Sequence, residues 1–192
     1  HPLKTITTGE GGVVTTNSKK IAEKVKKIRS LGIEKNLNKH WEYDVKYVGF
    51  NFRLSDFQCA LGLSQLDKIS KFISQRKKIF LNYQKLLSKI KEINLPTHLR
   101  KYTSSHHLFI INLKKSNIKI KEKFIKFMLK NKILLQYHYI PVYRFKIFRR
   151  KYINKNSEIY YKSAISLPIY YGLKYNEQVY ITKKIKEFFK KY

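Results

Sequence analysis

Beyond Pro96 the apolar residues come in an order that restricts the fold. Residues 107–113, His-Leu-Phe-Ile-Ile-Asn-Leu, read as a strand, residues 119–130 as a helix and residues 133–139 as another strand. Residues 176–189 read as a terminal helix whose apolar surface comes from Val179, Ile181, Ile185, Phe188 and Phe189. Strand, helix, strand and helix together specify a small α/β unit, because each strand face and helix stripe needs another element to cover it.

Upstream, Asn17 or Ser18 is placed to cap a helix running to about Leu31, with Ile21, Val25 and Ile28 at helical spacing and Gly32 positioned to end it. Residues 33–49 mix polar and aromatic side chains without a sustained period and read as a loop. Ser55 and Gln58 have capping-box spacing ahead of a helix-favouring run over residues 59–73. A further helical pattern carries Ile79, Tyr83, Leu86, Leu87 and Ile90 until Asn94-Leu95-Pro96 breaks it. The expected division is residues 1–73, a connecting helix over 74–95, and a small domain over 96–192.

Composition narrows the function classes. With 43% hydrophobic and 15% aromatic residues, the chain can build a core. Its longest apolar runs, such as Phe109-Ile110-Ile111, are too short to cross a bilayer, so a soluble protein is expected. Cys59 is the single cysteine, which excludes an internal disulfide framework and a multi-cysteine metal site, and no metal is expected. Its setting reads as a buried helix face in a protein of the reducing cytoplasm. The net charge of +30 would attract polyanions, yet the lysines are spread along the whole chain with no concentrated basic arm or zinc-finger spacing.

The opening run His1-Pro2-Leu3-Lys4-Thr5-Ile6-Thr7-Thr8-Gly9-Glu10-Gly11-Gly12-Val13-Val14-Thr15-Thr16 carries the chemistry. Gly9, Gly11 and Gly12 permit positive φ and close backbone approach, and Val13 to Thr16 favour a strand. A lysine entering such a turn can condense with an aldehyde if its amine is neutral part of the time. The glycines do not make a nucleotide P-loop, since the Gly-Lys-Ser/Thr ending is absent.

This run resembles the cofactor-lysine motif of the DegT/DnrJ/EryC1/StrS sugar aminotransferases. Residues 47–66, containing Gly49-Phe50-Asn51-Phe52-Arg53, resemble the family's Gly-aromatic-Asn-aromatic-Arg block and the helix after it. Ser104-Ser105-His106-His107-Leu108-Phe109 resembles the entry to the small-domain strand, and Gln136-Tyr137-His138-Tyr139-Ile140-Pro141-Val142 a later block near the substrate pocket. The resemblance covers essentially the whole chain. It implies the C-terminal half of a fold-type-I aminotransferase: the end of the large domain followed by a small α/β domain, in a homodimer using pyridoxal 5'-phosphate.

By the same resemblance, Lys4 is the residue that holds the cofactor and moves the proton, and glutamate is the amino donor to a nucleotide-linked keto sugar. Asn51 matches an asparagine that reaches the cofactor phosphate of the opposite subunit, with a turn-forming role as the alternative. Arg53, within the same block, has the chemistry to bind phosphate or carboxylate in bidentate fashion, and equally to brace the dimer or pair with Asp56. His138 and Tyr139 lie near where the family meets its nucleotide sugar, with a purely structural histidine as the alternative for His138 and, more so, for His107. The loop Trp41-Glu42-Tyr43-Asp44, with the block after it, looks most like members that aminate C4 of a UDP-linked 4-keto-6-deoxy-N-acetylhexosamine for surface glycan synthesis. Lysine at position 4 argues against the related dehydratases that carry histidine there. Two other readings stand beside this one: a basic nucleic-acid-binding module, and a catalytically silent fragment that keeps only packing or dimer contacts. The 192 residues alone are expected to turn over little substrate.

Overall fold

The computed structural model describes residues 1–36, 38–39, 41–97, 103–115, 117–148 and 152–192. The chain is mixed α/β and divides into two compact units, His1–Ile69 and Ser70–Tyr192.

In the first unit, helix α1 (Lys19–Arg29) starts where Ser18 accepts a hydrogen bond from the Ile21 N–H. The chain then turns sharply through Leu31 (φ 67°) and Gly32 (φ 70°), and the Gly32 N–H donates back to the Lys27 carbonyl at 2.8 Å. Residues 33–49, read as loop, contain a short antiparallel hairpin, β1 (Ile33–Lys35) with β2 (Tyr43–Val45). Each strand is only three residues long and buries none of them, too short a run for a period of two to stand out in the sequence.

The chain leaving this hairpin closes the end of α1. The Phe50 N–H donates to the Ile28 carbonyl and the Phe52 N–H to the Arg29 carbonyl, both at 2.9 Å, while the Leu31 N–H donates to the Phe50 carbonyl at 3.1 Å. Carbonyls that a helix end leaves unpaired are thereby satisfied by an extended segment, and Asn51 forms an isolated bridge with Ser30. Such close approach requires two glycines. A Cβ on Gly32 would lie 1.8 Å from the Tyr47 carbonyl oxygen, and one on Gly49 would lie 2.3 Å from the Gly32 nitrogen.

Ser55 caps α2 (Asp56–Leu66) through the expected reciprocal box with Gln58. The helical run expected to continue to residue 73 is interrupted at Asp67 and Lys68, after which α3 (Ile69–Leu87) begins. Cys59, expected on a buried face, is exposed, because α2 buries none of its residues. Val13 to Thr16, expected as a strand, form none: no strand pairs with them among the described residues, and Val13 is 82% exposed.

The second unit packs its helices on a three-stranded antiparallel sheet of order β3-β4-β5, formed by Ile93–Asn94, Phe109–Leu113 and Ala164–Leu167. The central strand alternates, with Phe109, Ile111 and Leu113 buried and Ile110 and Asn112 half-buried. Around it lie α3, α4 (Ile118–Lys130), α5 (Lys155–Ser163) and α6 (Tyr175–Lys191). Arg76, Ile79, Phe80, Tyr83 and Leu87 form the buried stripe of α3, while Phe124 of α4 meets Phe188 of α6 edge to face at 5.0 Å.

Buried polar groups link these layers. Gln178 is fully buried, donating to the Ile79 carbonyl at 2.8 Å and accepting from the Asn82 amide at 3.1 Å. Arg76 donates to the carbonyls of His107 and Ile169, each at 3.1 Å, and burial holds its guanidinium below its usual pKa. Residues 133–139, expected as a strand, contribute only a bridge between Gln136 and Ser166, with N–H···O bonds of 3.1 and 2.9 Å. After that bridge the chain leaves β5 instead of continuing along it.

The glycine contact generates a prediction. Gly32→Ala and Gly49→Ala should each destabilise the first unit by about 1–3 kcal/mol, read from the urea midpoint, because the added methyl group meets backbone and not a movable side chain. Losses below about 0.5 kcal/mol would contradict the close approach.

Candidate active site

Lys4 lies on an exposed turn, its N–H donating to the His1 carbonyl at 3.1 Å. Its amine has no hydrogen bond or ion pair among the described residues. The loop that follows is internally braced: Thr7 Oγ1 accepts from the Gly9 N–H at 3.0 Å, and Thr8 Oγ1 donates to the Glu10 carbonyl at 3.0 Å. Gly9 and Gly11 both have positive φ, 81° and 150°.

This loop is seated on the start of α2. Gln58 Nε2 donates to the Glu10 carbonyl at 3.1 Å, while the same amide's oxygen accepts from the Ser55 N–H. A Cβ on Gly11 would come within 2.9 Å of Leu54 Cδ2, and one on Gly62 within 3.0 Å of Thr8 Cγ2. One glutamine therefore caps the helix and grips the glycine loop together. The loop that carries Lys4 thus meets the block that carries Asn51 and Arg53, with Leu54 as the point of contact.

Within that block the side chains alternate. Phe50 and Phe52 stack at 4.9 Å between centroids, so Asn51 falls on the opposite side of the extended segment. Arg53 Nε donates to Asn51 Oδ1 at 2.9 Å, a partner the sequence reading did not name, and among the described residues no ion pair joins Arg53 to Asp56. Both side chains are exposed. With its oxygen occupied, the Asn51 amide offers N–H groups, and the guanidinium keeps its terminal N–H groups, so the pair presents donors suited to an anionic oxygen.

The entry to the block is fixed by charge. Glu34 of β1 lies between Lys27 of α1 at 2.6 Å and Lys46 at 2.5 Å, and these two ammonium groups pull its carboxyl pKa down to about 2. Both lysines are correspondingly raised by the carboxylate.

The second unit holds the remaining candidates. His138 is half-buried, with Nδ1 2.9 Å from Ser166 Oγ, the donor being set by the tautomer. Tyr139 is 71% exposed, and its ring meets the His138 ring edge to face at 4.6 Å. His107 is half-buried and its carbonyl accepts from Arg76, while His106 is buried against Phe80, ring centroids 4.7 Å apart.

Sequence reasoning missed Lys121, which is only 4% exposed and donates to the Tyr161 carbonyl at 2.5 Å. A signal was present. Lys121 follows Ile118 by three residues and precedes Phe124 by three, which places it on the apolar stripe of α4. Among the described residues no group of His, Cys, Asp and Glu is arranged to hold a metal ion, and no helix is long and apolar enough to cross a membrane.

Residues 1–186 match the model of the DegT/DnrJ/EryC1/StrS aminotransferase family. The chain belongs to that family. The UDP-4-amino-4,6-dideoxy-N-acetyl-beta-L-altrosamine transaminase of Helicobacter pylori is 37% identical over 90% of this chain and 46% of its own length. Its counterpart from Campylobacter jejuni is 35% identical over 88% of this chain and 45% of its own. The solved structure of Helicobacter pylori PseC, an aminotransferase involved in the biosynthesis of pseudoaminic acid, superposes with a TM-score of 0.90 at 32% identity, covering 98% of this chain and 51% of that one. This aminotransferase-family chain thus spans about half the length of the curated relatives it matches.

The Glu34 bridge sets a pH dependence. Its folded pKa lies below the ordinary carboxylate value, so its contribution is complete above about pH 4.5 and is lost as pH falls towards 2. A carbon-detected NMR titration should place the Glu34 midpoint near 2, with the hairpin loosening in step. A midpoint near 4.5 would contradict the double lysine bridge.

Proposed function

We propose that this chain is the C-terminal half of a pyridoxal 5'-phosphate-dependent transaminase that aminates a nucleotide-linked keto sugar. The observation that carries the reading is the seating of the Lys4 loop against the Asn51 and Arg53 block through Leu54 and Gln58. That packing joins a primary amine that has no partner among the described residues to a pair of exposed N–H donors. In this reading residues 1–73 complete the large cofactor domain, residues 74–95 connect, and residues 96–192 form the small domain.

The donor set fits the cofactor. Asn51 and Arg53 would hold its phosphate, on the opposite subunit of a homodimer in the case of Asn51, and Lys4 would anchor its aldehyde. When bound, pyridoxal phosphate supplies the electron sink that lets an amino group pass from a donor, here glutamate, to a ketone. Lys4 then has two duties, covalent anchor and proton carrier at the reacting carbon, and both need an amine that can lose its proton. Arginine at that position would stay protonated and do neither. Tyr139 and His138 would meet the nucleotide sugar, with the Ser166 hydroxyl holding the His138 ring in one orientation.

The relatives named for a UDP-linked amino sugar favour C4 amination of a UDP-4-keto-6-deoxy-N-acetylhexosamine, in the cytoplasm, for pseudaminic acid and surface glycan synthesis. A full-length protein carrying this chain should aminate that ketone with glutamate. Lys4→Ala and Lys4→Arg should each lower kcat by at least about a hundredfold while leaving the protein folded. Turnover retained by Lys4→Ala, or a folded full-length protein that does not bind the cofactor, would overturn the reading.

A further inference from the structure

The strongest feature that the proposed reaction leaves unused is a buried cation beneath the segment carrying His138 and Tyr139. The Lys121 Nζ lies 5.1 Å from the Tyr161 ring and 5.8 Å from the Tyr137 ring, and donates to the Tyr161 carbonyl. Among the described residues no carboxylate pairs with it. Burial alone pushes its ammonium below the usual lysine pKa. Taking a lysine charge out of water is costly, and methionine would fill similar space without that cost. What the cation adds over an apolar side chain is attachment to two aromatic faces.

Those faces belong to different elements. Tyr161 lies on α5, whereas Tyr137 directly precedes His138 and follows Gln136, whose backbone bridges Ser166 in β5. The far end of the same loop returns to the same ring: the Arg144 guanidinium lies 5.0 Å from the Tyr161 ring centroid. Arg144 also forms a paired bridge to Glu158 of α5, and the Tyr143 hydroxyl donates to that carboxylate at 3.0 Å. Residues 137–144 are therefore tied to Lys121 at one end and to Tyr161 at the other. Between these attachments Tyr139, Ile140 and Val142 are exposed, at 71%, 45% and 58%.

We propose that Lys121 is a positioning residue for nucleotide-sugar recognition: its ammonium links the Tyr137 ring to the Tyr161 ring and so fixes the loop that presents His138 and Tyr139. This rests on the substrate reading above. Lys121 touches neither sugar nor cofactor in this account. Its contribution is to remove the freedom the loop would otherwise lose on binding, which appears as affinity for the nucleotide and not as rate with the amino donor.

The test uses the full-length protein and its Lys121→Met, Lys121→Arg and Tyr137→Leu variants, with UDP as the probe. Lys121→Met and Tyr137→Leu should each weaken UDP binding in calorimetry by roughly five- to thirtyfold. Both should speed amide hydrogen exchange in residues 136–144, and the rate of amino transfer from glutamate to the cofactor should stay within about twofold. Lys121→Arg, which keeps a cation, should restore most of the affinity. Should Lys121→Met fail to fold, Tyr137→Leu decides by the same readings. Folded variants that bind UDP as tightly as the parent would overturn the proposal, as would an equal loss with UDP and glutamate. A parent protein that does not bind UDP would overturn the substrate reading as well, so the two failures are distinguishable.

Discussion

The first unit depends on how the end of α1 is closed. A helix that stops at Arg29 leaves carbonyls that need donors, and in this chain the donors are the backbone N–H groups of Phe50 and Phe52, arriving from beyond a hairpin. Backbone can meet backbone at that distance only where side chains are missing, hence Gly32 beside Tyr47 and Gly49 beside Gly32. Everything proposed for Asn51 and Arg53 follows from this closure. It sets the extended conformation that turns Asn51 away from the stacked Phe50 and Phe52, and it delivers Leu54 and Ser55 to the start of α2, where Gln58 holds the Lys4 loop.

The second unit solves a different problem. Its core is apolar and aromatic, but two cations, Arg76 and Lys121, are buried in it with backbone carbonyls as hydrogen-bond acceptors. Arg76 joins α3 to the segments before β4 and after β5, so it orders the sheet. Lys121 joins α4 and α5 to the loop after Gln136, so it orders a surface. The same expense, a desolvated charge, serves stability in one place and presentation in the other.

Much of this was legible in the residues. β4, α4 and α6, the Ser55 and Gln58 box and the end of α1 shortly before Gly32 could be read because each rests on local chemistry: period, cap and glycine. The β1–β2 hairpin could not, because strands of three residues are too short to show a period. Val13 to Thr16 have strand propensity, but propensity does not supply a neighbour, and residues 133–139 meet β5 only in the bridge of Gln136 with Ser166. Among the candidate residues, Lys4, Asn51, Arg53, His138 and Tyr139 came from motif resemblance. Their supports, Gln58 to Glu10, Arg53 to Asn51 and His138 to Ser166, are contacts that sequence spacing does not reveal, the first spanning 48 positions.

The central claim is that one amine in a strongly basic chain is set apart for cofactor chemistry. Borohydride reduction of the full-length protein with stoichiometric pyridoxal phosphate, followed by peptide mass mapping, tests it directly. The account predicts a single phosphopyridoxyl group on Lys4, and none at that peptide in Lys4→Ala. Label spread over the surface lysines, with no preference for Lys4, would contradict it.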